Sequence, residues 1–66
     1  MIARAAGSIY TVQYRCIYRE HWYDDSDYQS IEEAAARAYQ LAIEEGRTTR
    51  VVDPYGRVVY AHTVLA

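Results

Sequence analysis

Apolar and polar side chains alternate at every second position over residues 9–18, IYTVQYRCIY, the period of a strand buried on one face. Tyr10, Val12, Tyr14, Cys16 and Tyr18 share the side expected to meet the core, and Ile9, Thr11, Gln13, Arg15 and Ile17 share the other. A turn at Arg19-Glu20-His21 leads into a short second strand over 21–24, with Trp22 and Tyr23. There the alternation stops. Residues 24–29, DDSDYQ, read as a polar loop, because aspartate and serine favour turns over sheet ladders.

Between Ser30 and Gly46 the period lengthens to that of a helix. Ile31, Ala34, Ala35, Ala38, Leu41 and Ala42 gather on one face, Glu33, Arg37, Gln40 and Glu44 lie opposite, and Tyr39 and Ile43 occupy one flank, which predicts a helix over about 30–45. Both of its ends are signalled. Ser30 followed by Glu33 makes a capping box, and Glu32 and Glu33 suit the positive end of the helix dipole. Gly46 accepts the left-handed conformation that commonly ends a helix, with Arg47 beside the negative end. An alanine face has little reach, so the helix backbone must approach its partner closely. A sheet whose larger side chains fill the remaining space is the natural partner.

Residues 48–53, TTRVVD, and 57–64, RVVYAHTV, read as two more strands joined by Asp53-Pro54-Tyr55-Gly56. Asp, Pro and Gly stand where a type I turn with a bulge wants them. That turn sets Val52 against Val58, Val51 against Val59, Arg50 against Tyr60 and Thr49 against Ala61. Val51, Val59 and Ala61 then meet the helix, while Arg50, Val52, Val58, Tyr60 and His62 form an outer surface. A one-residue slip exchanges the two faces, so the reverse stays open. The sum is an α+β fold: a four-stranded antiparallel sheet, ββαββ, with one helix packed on one face. The strand order cannot be read from this pattern.

Composition narrows the function classes. Sixty-six residues make a single domain, 1–66, with a core small enough to need support. Residues 1–8 form a frayed lead-in. One cysteine, Cys16, excludes an internal disulfide, and no Cys/His spacing suits zinc. Self-association is therefore the expected supplement, as a homodimer. The first residues lack the apolar run of a signal peptide and no segment is long enough to span a bilayer, which points to the cytoplasm and to no membrane. A net charge of −2 supplies no general pull toward nucleic acid or anionic lipid.

Three constellations bear on chemistry. Glu20, Asp24, Asp25, Asp27, Glu32 and Glu33 form an acidic group. Its core, the 24–27 loop, is a docking patch for a basic partner if it is not simply a solvated stretch before a helix N-terminus. The alternating oxygen ligands, glycine and distal glutamate of an EF-hand are missing. Cys16, His62 and Asp53, or His21 in place of His62, are the residue types of a thiol triad. With no glycine-rich elbow or oxyanion hole, they make no case for an enzyme. His21, Asp24 and His62 have no typical metal-ligand spacing, and no cofactor is implied. The third set is aromatic. Eight tyrosines and one tryptophan, with no phenylalanine, exceed what so small a core can bury.

Together with Arg15, Arg50 and Arg57, Tyr10, Tyr14, Tyr18, Trp22, Tyr23, Tyr55 and Tyr60 supply either a platform for stacking single-stranded nucleic acid or the anchors of a protein interface. The interface is preferred, with Arg50, Val52, Val58, Tyr60 and Trp22 at its centre and Arg50 stacked on Tyr60. The reading is a non-enzymatic module that self-associates through this sheet face or a strand edge. The alternatives are a nucleic-acid-associated protein, or an inhibitor of a host or phage protein that uses Asp24, Asp25 and Asp27. The linked pattern Trp22-Tyr23-Asp24-Asp25, Ser30-Ile31-Glu32-Glu33-Ala34, Arg50-Val51-Val52-Asp53 and Gly56-Arg57-Val58-Val59 resembles small uncharacterised bacterial and phage proteins. That resemblance spans about residues 10–62. It implies a ββαββ fold and a prokaryotic or phage origin, and it carries over no catalytic residue.

Overall fold

The computed structural model of the chain describes residues 9–15, 18 and 20–63. Its elements are β1 (Tyr10–Arg15), β2 (Tyr23–Tyr28), α1 (Ile31–Glu45), β3 (Thr48–Val52) and β4 (Val58–His62). The strands form one antiparallel sheet in the order β2-β1-β3-β4. Helix α1 lies over the central pair, β1 and β3, and reaches β2 and β4 on either side. This is the expected α+β arrangement. The lead-in over 1–8, and Cys16 with its neighbour Ile17, lie outside the described residues.

The helix begins and ends where its signals stand. Ser30 Oγ accepts from the N–H groups of Glu32 at 3.1 Å and Glu33 at 3.4 Å, satisfying orphan donors of the first turn. The Ser30 hydroxyl in turn donates to the Glu32 carboxylate at 3.1 Å, a side-chain bond distinct from the capping-box bond to the Ser30 N–H expected of Glu33. Gly46 closes the helix with φ 66° and donates its N–H to the Ala42 carbonyl. Ala34, Ala38, Leu41 and Ala42 are buried, and Val12 and Val51 of the sheet fill the space the alanines leave. Ile31, expected in the core, stays partly exposed on the flank facing β4.

The polar stretch before the helix is the first correction. Residues 23–28, YDDSDY, form a six-residue strand, not the tail of a short strand followed by a loop. The ladder with β1 is interrupted by a register shift opposite Val12 and Gln13, where Asp25 is the extra residue. Charge and a bulge are common on edge strands, where they discourage pairing with other chains. Propensity read residue by residue misses such a strand.

The second hairpin forms at the expected turn. Gly56 has φ 86°, its N–H donates to the Asp53 carbonyl at 3.0 Å, and the Asp53 N–H donates to the Arg57 carbonyl at 2.8 Å. Val52 faces Val58 as the turn requires, but a second register shift follows. Val59 is the extra residue, so Val51 faces Tyr60, Arg50 faces Ala61 and Thr49 faces His62. Tyr60 and His62 therefore move to the helix side, and Ala61 moves to the open side with Arg50, Val52 and Val58. Val51 is fully buried, and Tyr60 packs against the core it belongs to.

Candidate functional site

The open face of the sheet carries a lateral polar ladder. Arg50 Nε donates to Gln13 Oε1 at 2.8 Å, and Gln13 Nε2 donates to Asp24 Oδ1 at 2.9 Å. One rung along, Thr11 Oγ1 donates to Asp27 Oδ1 at 2.8 Å. These bonds follow from the register, which sets Gln13 between Asp24 and Arg50, and Thr11 between Asp27 and Val52. Trp22, just ahead of β2, lays its ring over this surface with the Arg50 guanidinium 4.1 Å and that of Arg15 5.1 Å from its centroid. Both distances suit cation–π attraction.

Of the expected interface set, Trp22, Arg50, Val52 and Val58 are thus on one face and Tyr60 is not. Arg50 stacks on Trp22, because the Val59 bulge turns Tyr60 to the other side. Of the tyrosine platform, Tyr10, Tyr14, Tyr23 and Tyr60 lie off the open face, and Tyr18 and Tyr55 stand exposed in turns. Tyr10, Tyr28 and Tyr60 pack at the core. Tyr14 and Tyr23 stack on each other at 5.7 Å on the helix side, with Arg47 4.8 Å from the Tyr14 ring.

The acidic group is divided as well. Asp24 and Asp27 are tied into the open-face ladder, whereas Asp25 turns toward α1 and accepts from Arg37 Nε at 2.9 Å and Nη2 at 3.3 Å. That bond fixes edge strand β2 to the helix. The Arg37 hydrogen bond, helped by the Ser26 hydroxyl and the guanidinium charge, outweighs desolvation and holds the Asp25 carboxyl below its usual value of 3.8. Asp53 is a buried carboxylate. It accepts from the Tyr55 N–H at 2.9 Å and from Arg57 N–H and Nε at 2.8 Å each. Burial alone would raise its pKa, but the Arg57 N–H, the Arg57 guanidinium and the Tyr55 N–H together lower it.

Both folded-state values therefore lie below the unfolded ones, so their stabilisation is present above the unfolded carboxylate pKa and disappears as pH falls through the folded one. Thermal unfolding followed by circular dichroism should give a Tm that is flat from pH 7 to about 5 and falls steadily below about pH 4. Asp53→Asn should flatten the acid limb.

Among the described residues, Asp53 and His62, and His21 and His62, are not brought together. Asp53 sits at the β3–β4 turn and His62 pairs opposite Thr49 at the other end of the hairpin, while Cys16 lies outside the described residues. His21 packs edge-on to Tyr23 beside edge strand β2, and His62 belongs to the opposite edge strand. Among the described residues no group of three His, Cys, Asp or Glu side chains is placed to hold a metal ion, no pocket is enclosed, and no helix is long and apolar enough to cross a membrane.

A different surface stands out on the β4 side. Ile31, Ala35, Tyr39 and Ile43 recur every fourth residue along α1, and the three large ones are 38%, 53% and 59% exposed. Tyr39 meets His62 edge-on at 5.8 Å, so this ridge continues onto the helix side of β4. The flank position of Tyr39 and Ile43 was visible in the helical period. Their meeting with β4 was not, because it depends on strand order. No known protein family, curated protein or solved structure matches the chain.

Proposed function

We propose that the protein is a non-enzymatic interaction module that works by self-association through its β4–α1 side. The observation that carries this reading is the contrast between the two edges of the sheet. β2 holds three aspartates, a bulge and side-chain bonds to both β1 and α1, the features of a guarded edge. β4 has no charged residue from Val58 to Ala61, and the exposed ridge of α1 runs beside it. An exposed apolar patch of this kind, bordered by polar residues, is the usual mark of a protein contact.

Association also answers the small core, since a second copy buries apolar surface that one chain cannot. The open face, where Asp24 and Asp27 stand on the same surface as Arg50, offers less to a nucleic-acid backbone. Sedimentation from one to several hundred micromolar should show a monomer–dimer equilibrium. Ile43→Glu should weaken it at least tenfold without changing the far-ultraviolet spectrum, whereas Gln40→Glu on the opposite flank should not. A strict monomer over that range would refute the reading.

A further inference from the structure

Resting on that reading, we infer that the partner is a second copy docked by antiparallel β4–β4 pairing about a two-fold axis, which extends the sheet to eight strands. Charge selects this edge. Pairing β2 with its mate would bring Asp24, Asp25 and Asp27 against the same residues of the other copy. Across β4 no charge opposes another: Arg57 is held by Asp53 at 2.8 Å, and a two-fold carries it to the far end from its mate. Pairing β4 of one copy with β2 of the next would not close and would grow into a filament.

The position of the helix gives the second argument. α1 is centred over β1 and β3, so with strands about 4.8 Å apart, two helices in such a dimer lie about 19 Å apart. A helix with its side chains is about 10 Å wide, so a trough about 9 Å across opens above the paired β4 strands. The side chains that stand in it are Tyr39 from α1 and Tyr60 and His62 from β4. Each copy must fill half the width, a distance an aromatic side chain spans. Tyr39 and His62 already touch across the corner. The exposed ridge thus becomes the roof of a joint core. A five-residue strand edge with three such side chains per copy falls near the lower end of specific interfaces, about 1,000–1,200 Å² in total, which suits a dimer of micromolar strength.

Amide hydrogen exchange, read residue by residue at concentrations below and above the dissociation constant from sedimentation, tests the pairing. Alternate amides of β4 should slow at least tenfold at the higher concentration, while the amides of β2 that face outward stay fast. A dimer in sedimentation with unchanged β4 exchange overturns the pairing and leaves self-association standing. A monomer at every concentration overturns both.

Discussion

Leu41→Ala should leave the chain mostly unfolded at 25 °C. Leu41 is 3% exposed and lies in the buried cluster with Val12, Ala34, Ala38 and Val51. Among these it is the largest side chain, and the alanines around it cannot close over a void. Truncating a buried leucine costs about 2–5 kcal/mol, the upper part applying where the site cannot collapse. A chain of 66 residues holds roughly 3–10 kcal/mol in all, so this one loss consumes much or all of it. Urea titration monitored by circular dichroism should show the transition moved to near zero denaturant. A midpoint shift worth under about 1 kcal/mol would mean that the α1–sheet contact is looser than its burial indicates.

The second large effect comes from adding atoms. Ala38 is fully buried, and its carbonyl accepts a hydrogen bond from Thr49 Oγ1 at 3.0 Å. That bond holds the helix backbone within reach of a strand side chain. Ala38→Leu must drive α1 away from β3, break the bond and bury the Thr49 hydroxyl unpaired. Overpacking costs about 1–3 kcal/mol, and the orphaned hydroxyl adds about 1–3 kcal/mol. Ala36→Leu is the control, since residue 36 is exposed and helix propensity barely changes. Thermal melts should show Ala36→Leu within a few degrees of the parent and Ala38→Leu unfolded or nearly so. Equal melting temperatures for the two would contradict the close approach.

These two positions show what was legible in the sequence. The alanine spacing of 34, 38 and 42 announces a helix pressed onto a sheet, and Ser30, Gly46 and Asp53-Pro54-Tyr55-Gly56 punctuate the chain where the structure does. What escaped depends on contacts between distant segments. Asp24 to Tyr28 form a strand because β1 offers a free edge; Asp24 and Asp27 are tolerated because they face solvent, and Asp25 because Arg37 of α1 answers it. The faces of β4 escaped for a smaller reason: the turn fixes only Val52 against Val58, and the bulge at Val59 reverses every side chain beyond it. Tyr60 therefore anchors the core, and Arg50 finds Trp22. The surface on the β4 side needed strand order before Tyr39, Ile43 and His62 could be seen as neighbours.

The strand order has a consequence for synthesis on the ribosome. β1 is an interior strand whose two partners are made at different times: β2 is the next strand in the chain, whereas β3 begins only at Thr48, after the helix. A nascent chain that has completed β1, β2 and α1 therefore holds a hairpin with one edge sealed by aspartates and the other, YTVQYR, bare. Long-range pairing of this kind is slow to form, and unpaired apolar edges are where partly made proteins associate wrongly. Emergence of Thr48–Val52 is the step that ends the exposure, since it covers β1 and supplies Thr49 and Val51 to the face beneath the helix.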